Sequence, residues 1–192
     1  MPPEAEVVRC GWAGALPEYV AYHDAEWGRE LRGEHAMFER LSLEAFQSGL
    51  SWITILRKRE AFRAAFAQFD PMAVAAFTEV DVSRLMSETA IVRNRAKIDA
   101  TISNARVAVD LDVPLSDLLW SFAPQSPPAA PRTLAGLPAT TAESTALAKE
   151  LKRRGFRFVG PTTTYALMQA TGIVNDHLAD CWVRGDMARP RT

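Results

Sequence analysis

The stretch VDVSRLMSETAIVRNRAKIDATISNARV, residues 80–107, decides the fold class. It reads as a short helix, a tight connection at 89–92 and a second helix from about 94 to 109, with Ile98, Ile102, Ala105 and Val109 at helical spacing. Thr78 and Asp81 stand at cap spacing before the first helix. The connection holds Ala90, Ile91 and Val92, and the first turns of the second helix carry Arg93, Arg95 and Lys97. This is the layout of a helix-hairpin-helix, in which backbone amides and nearby basic side chains grip nucleic-acid phosphates without reading bases. An ordinary solvated helical hairpin has the same outline.

Helical signals continue on both sides, and strand signals are nearly absent, so the fold is expected to be all-α. In 34–48, Met37, Leu41, Ala45 and Ser48 share one face, and Gly49 is placed to end the helix. SWITILRKREAFRAAFAQF, 51–69, follows as a second helix with apolar Ile53, Leu56 and Phe66. Asp70 is the expected N-cap of the next one, with Pro71 at its first position, where the missing amide does no harm. Residues 123–139 are rich in proline and read as a surface connection between a core bundle and a C-terminal helical portion. Beyond it come a helix at 142–154, the basic turn KRRGFRFVG, a helix from Pro161, and a last helical turn carrying NDHLADC, 175–181.

Composition bounds the partners. A chain of 192 residues buries about 70% of its unfolded surface, so one domain over 1–192 with a real core is the expectation. Hydrophobic residues make up 48% and charged residues 23%, values of an ordinary soluble globular protein. No apolar stretch reaches the roughly 20 residues that span a bilayer, and the start lacks a signal-peptide pattern, which points to the cytoplasm and to no membrane partner. The formal net charge of -1 leaves any polyanion to a local patch.

Two groups of residues suggest chemistry. The chain has three histidines and two cysteines, and each end carries one of each: Cys10 with His23, and His177 with Cys181. On a helix, His177 and Cys181 would lie one turn apart, and the four together make a Cys2His2 set of the kind that closes a structural zinc site. Asp24 and Asp176 are candidates to support the histidines. Two buried thiols with two ordinary histidines, or a Cys10–Cys181 disulfide, are the alternatives that spacing leaves open. His35 is expected at the surface. In LSLEAFQSGLSW, 41–52, Glu44 lies on or beside the apolar stripe of its helix, where a carboxylate is costly unless paired. Trp12, Tyr19, Tyr22, Trp27 and Trp52 surround it in sequence. Aromatics mostly fill cores, but aromatics with a carboxylate also supply what a flipped purine needs, a stacking surface and an edge acceptor.

RCGW, YHDAEWG, GLSWITILRKRE, FDP, RRGFRFVGPTT and NDH occur in this order along residues 9–182. In these motifs the chain closely resembles the bacterial 3-methyladenine DNA glycosylase I family of the helix-hairpin-helix superfamily. The resemblance implies a monomeric, monofunctional base-excision enzyme acting on double-stranded alkylated DNA, without lyase activity or nucleotide cofactor. It implies one structural Zn2+ per chain on Cys10, His23, His177 and Cys181, clipping the two ends together. It implies a base pocket in which Glu44 and Tyr22 bond the purine edge, Trp52 stacks, and Trp12, Trp27 and Tyr19 form the wall. DNA gripping then falls to the hairpin, Ala90 to Lys97, with Gln47 and Leu50 filling the gap left by the extruded nucleotide. Two positions depart from the family pattern. Ala90 replaces a usual glycine, which would add strain if positive φ is required there, and Phe46 replaces a usual polar residue, bearing on substrate breadth. A non-catalytic DNA-binding protein on the same scaffold, or a glycosylase retuned to another lesion, is the rival expectation.

Overall fold

The computed structural model describes residues 7–187; the outermost ends of the expected domain, 1–6 and 188–192, lie outside them. Among the described residues the regular structure is entirely helical. The α-helices are α1 (Pro17–Ala25), α2 (Glu34–Gln47), α3 (Trp52–Ala65), α4 (Pro71–Ala75), α5 (Glu79–Ser87), α6 (Arg95–Val109), α7 (Leu115–Trp120), α8 (Ala142–Arg153), α9 (Pro161–Ala170) and α10 (Trp182–Met187). None of them is long and apolar enough to cross a membrane.

Helix α2 is the axis of the packing: α3, α6, α7 and α9 all lie against it. It is consequently buried on most sides, through Met37, Phe38, Leu41, Leu43 and Phe46. A helix surrounded in this way loses its amphipathic stripe, and any polar residue on it must find partners inside the protein. Its first residue, Glu34, accepts bonds from the amides of Leu115 and Ser116, both at 3.0 Å, and so caps the start of α7. At its other end Gly49 takes φ 80°, and the chain turns into α3.

Local side-chain caps close the starts of α4, α5, α6 and α8. Asp70 accepts from the Met72 amide at 2.9 Å, and the Asp81 carboxylate reaches back to the Thr78 amide at 3.0 Å. Asn94 caps α6 through the Lys97 amide at 3.1 Å. These are side-chain answers to the orphan amides of a first turn.

Several expectations are corrected. The helix expected over 51–69 ends at Ala65, because Ala67, Gln68 and Phe69 all take positive φ, between 50° and 56°. This left-handed turn costs about 1–2 kcal/mol per residue, but it brings Phe66 and Phe69 together in the core, rings 5.6 Å apart and nearly parallel. Within α3 the deeply buried residues are Ile55 and Phe62, whereas Ile53 is only partly covered. Val109 closes α6 exposed, and Ala108 takes the core position. The proline-rich connection is more than a surface link: the Pro131 carbonyl accepts from the Ala179 amide at 2.8 Å, tying it to the C-terminal segment. Residues 175–181, expected as a helical turn, are irregular, and α10 begins only at Trp182.

Candidate functional site

Helices α1, α2, α3 and α9 leave a cavity of about 230 Å³ between them, open on one side. Its wall is Trp12, Tyr19, Tyr22, Trp27, Glu44, Gln47, Trp52, Leu137, Ala166 and Gln169. Every expected base-pocket residue is therefore brought to one place. Trp12 is the hub of the aromatic wall, with Trp27, Tyr19 and Tyr22 rings at 5.0, 5.9 and 6.2 Å, edge-on or tilted as aromatic quadrupoles favour. Tyr22 and Trp52 lie 5.3 Å apart. Tyr19 also serves the backbone, since its hydroxyl accepts from the Ile53 amide at 3.0 Å and caps the start of α3, joining one pocket wall to the next.

Glu44 is the only carboxylate of the wall, and it is 5% exposed. Among the described residues no hydrogen bond reaches it. Burial raises its carboxyl from 4.5 to about 7, with Arg40, one helical turn earlier, acting in the opposite direction. Arg40 is itself buried; it donates to the Tyr22 hydroxyl at 3.1 Å and to Glu26 at 3.4 Å. Glu26 in turn receives two bonds from Arg59. The aromatic pocket thus has a charged layer behind it, of Arg40, Glu26 and Arg59.

That layer, with Leu137, Ala166 and Gln169, was not anticipated from the sequence. Arg40 did carry a signal, being four residues before Glu44 on a helix whose other inward positions are mostly apolar. Gln169 on α9 and Leu137 in the proline-rich connection carried none, since only long-range packing brings them near α2.

Beside the pocket, Cys10, His23, His177 and Cys181 are all buried, and their ligand atoms lie within 4.8 Å of one another. Both cysteines are free, so no disulfide joins them. The Asp24 carboxylate bonds Nδ1 of His23 at 2.8 Å, which turns Nε2 toward Cys181 Sγ at 3.4 Å. Nδ1 of His177 stands 3.6 and 3.5 Å from the two sulfurs, while its Nε2 meets the Trp27 carbonyl at 2.9 Å. Tetrahedral bonds of ordinary metal–sulfur and metal–nitrogen length place such ligand pairs about 3.5 Å apart, so the set fits a single metal ion. Asp24 supports the cluster as expected, and its own bonds to Arg9 and His23 outweigh burial and bring its carboxyl down to about 2. Asp176 does not: it accepts from Tyr165 and Gln169 instead, and the Trp27 carbonyl takes its place behind His177. Gly28 is required beside the cluster, since a Cβ there would fall 2.9 Å from the His177 ring.

The expected DNA contacts divide. Gln47 is half-buried at the pocket, and Leu50 projects from the turn between α2 and α3, 41% exposed. In the hairpin, Ala90 and Arg93 are exposed, and Arg95 is exposed while paired with Glu79 and Asp99. Ile91 is buried and Val92 packs against the core, so their side chains are anchors and only their backbone can face a phosphate. Lys97 is corrected more strongly. It is buried, and its ammonium donates to the carbonyls of Phe46 at 2.8 Å and Ser48 at 2.6 Å, closing the end of α2 rather than reaching outward. Ala90 does not take positive φ, and its amide is held by the Glu88 carboxylate at 2.9 Å, so the anticipated strain is absent. Phe46 packs between Phe62 and Phe66 in the core, away from the pocket wall, which removes its expected bearing on substrate breadth. His35 is a surface residue near Asp70.

An all-helical scaffold around an aromatic slot with one buried carboxylate defines a protein class built to enclose a planar ring. More narrowly, the chain belongs to the methyladenine glycosylase family, whose model matches residues 12–184. DNA-3-methyladenine glycosylase 1 of Escherichia coli K12 is 49% identical over 177 residues, covering 90% of this chain and 95% of that one. A crystal structure of a 3-methyladenine DNA glycosylase I superposes with a TM-score of 0.88 at 47% identity, over 91% of this chain and 98% of the other. A tyrosine-to-phenylalanine variant of such an enzyme, solved in complex with 3-methyladenine, gives 0.86 at 35% identity, over 91% and 96%.

Proposed function

We propose that the chain is a DNA repair glycosylase that receives an extruded 3-methyladenine in the aromatic cavity and hydrolyses its bond to the sugar. The observation that carries the reading is Glu44: a buried carboxylate without a hydrogen-bond partner among the described residues, lining a slot whose walls are otherwise largely aromatic. At about 230 Å³ the slot is smaller than the roughly 300–1,000 Å³ clefts of larger ligands, as suits one base.

Methylation at N3 makes adenine cationic, so its glycosidic bond is weak and the base leaves neutral, taking the bond's electron pair. Selection then matters more than leaving-group activation. Ionised Glu44 accepts from the exocyclic amine and favours the cation over the unmodified base, Tyr22 bonds the edge, and Trp52 stacks. Water attacks the sugar carbon. No Schiff base is proposed, and no lysine is among the residues that line the cavity.

Around this pocket we read residues 1–192 as one glycosylase domain acting as a cytoplasmic monomer on double-stranded alkylated DNA. The helix-hairpin-helix of α5 and α6 grips the backbone through its exposed amides, Arg93 and Arg95, while Gln47 and Leu50 occupy the gap in the duplex. The Cys2His2 cluster is a structural zinc site. Cys10 and Cys181 would hold such an ion as thiolates, whereas without it burial foremost, with Cys181 beside it, pushes Cys10 up to about 12. Cys10, His23, His177 and Cys181 would then tie the N-terminal segment to the C-terminal one.

The test is chromatography of bases freed from methylated DNA. Release of 3-methyladenine, lost in Glu44→Gln with the fold intact, supports the reading. DNA binding with no release above the control would overturn it.

A further inference from the structure

We propose that Arg40 is a positioning residue for base excision: from behind the pocket its guanidinium fixes the hydrogen-bonding direction of Tyr22 and supplies the buried counter-charge of Glu44. The inference rests on the excision reading above and adds a residue that does not line the cavity.

The geometry is specific. Arg40 lies on α2 one turn before Glu44, 6% exposed. A guanidinium can only donate, and it donates to the Tyr22 hydroxyl oxygen at 3.1 Å. The phenol is thereby an acceptor on its rear side, and its single hydrogen is left for the pocket. The guanidinium carbon also lies 5.4 Å from the Tyr22 ring centre and 5.6 Å from that of Trp52, so the same cation backs both rings. Glu26 and Arg59, bound to each other, keep Arg40 in place from the opposite side.

Charge counting gives the functional consequence. Arg40 and Arg59 balance Glu26 and Glu44, so the pocket with its layer is neutral before a base enters and carries only the charge of a cationic base afterwards. Without Arg40 the layer would hold two carboxylates against one cation, and the cheapest correction is a proton on Glu44, the most buried of them. A protonated Glu44 cannot accept from the exocyclic amine on that oxygen and no longer favours a cation. The groups facing Glu44 are few: Arg40 from α2 is the charged one, Tyr22 faces it from α1, and neutral Gln169 from α9 lines the same cavity with its amide bound to Asp176, while Glu26 and Arg59 face Tyr22 and Arg40 behind. Glu39 also faces Arg40.

The experiment is a pH profile of kcat/KM for 3-methyladenine release by the wild type, Arg40→Met and Arg40→Lys, paired with a carbon NMR titration of the Glu44 carboxyl in the absence of DNA. In Arg40→Met the acid limb and the Glu44 titration both move up by about one pH unit, giving about a tenfold loss at pH 6.5 that narrows toward pH 9 to a smaller remainder from the undirected Tyr22 hydroxyl. Arg40→Lys, which keeps the charge, retains the wild-type limb. Should Arg40→Met not fold, Arg40→Gln removes the charge and keeps a donor for Tyr22, with the same shift of the acid limb and no remainder at pH 9. A loss of equal size at every pH, or an unmoved Glu44 titration, overturns the proposal. A wild type that releases no base overturns the excision reading and this role with it, while the carboxyl titration reports separately on the Arg40–Glu44 pairing.

Discussion

Nε2 of His177 meets the backbone carbonyl of Trp27 at 2.9 Å, and the two rings pack edge to face 4.7 Å apart, so this tryptophan joins the Cys2His2 cluster to the pocket it helps to wall. A change in the cluster therefore reaches the pocket wall through Trp27, and also through Trp12, whose ring meets that of His23 at 5.3 Å.

Metal removal tests that path. Purified protein is expected to hold one Zn2+ per chain, measured by elemental analysis. Chelation, or His177→Ala, should lower the thermal midpoint by about 10 °C, taking about 3 kcal/mol at 2–4 °C per kcal/mol for this size. Binding of free 3-methyladenine, followed by tryptophan fluorescence, should weaken in step. A chelated protein with unchanged midpoint and affinity would mean that the four side chains pack adequately without an ion.

Glu44 should cost stability at the pH where it is useful. Its carboxyl titrates at about 7 in the folded chain against an ordinary 4.5, so the native state holds its proton more tightly than the unfolded state. Below pH 4.5 both states are protonated and the penalty vanishes; it develops as pH rises from 4.5 to 7 and is constant above. Glu44→Gln is accordingly expected to be more stable than the wild type by on the order of 3 kcal/mol at pH 8, with little gain at pH 4, while base release drops at least a hundredfold. Urea titrations at the two pH values decide the stability half.

Lys97 and Arg93 should separate cleanly. Lys97→Met breaks two bonds to the end of α2 and leaves the Phe46 and Ser48 carbonyls short of a donor, a loss of about 2–3 kcal/mol in unfolding free energy. It should leave the salt dependence of DNA binding unchanged. Arg93→Ala should behave in the opposite way, with stability unchanged and the slope of log affinity against log salt reduced by about one. Equal salt slopes for both variants would remove Arg93 from the DNA interface.

Tyr19→Phe isolates the cap of α3. The Ile53 amide loses its acceptor while the aromatic wall keeps its ring, so a stability loss of about 1 kcal/mol is expected with base affinity reduced severalfold at most. A much larger fall in affinity would place the Tyr19 hydroxyl among the groups that touch the base.

The local determinants of this protein were legible in its amino-acid sequence. Asp70 with Pro71, Thr78 with Asp81, and Gly49 act through hydrogen bonds and backbone angles within a few residues, and each behaves as its local chemistry dictates. The motifs carrying Glu44, Tyr22, Trp52 and the four cysteine and histidine positions also named the residues that meet at the site, although not by any rule of spacing: His177 and Cys181 converge from an irregular segment, not from a helix. What only the tertiary structure decided was direction and environment. Lys97 turns inward because two carbonyls at the end of α2 need a donor, Phe46 joins the phenylalanine cluster, Asp176 bonds Tyr165, and Leu137 reaches the pocket from the proline-rich connection. Burial and long-range hydrogen bonding are properties of the packed chain, so a side chain's type can be read in one dimension, while the partner that claims it exists only in three.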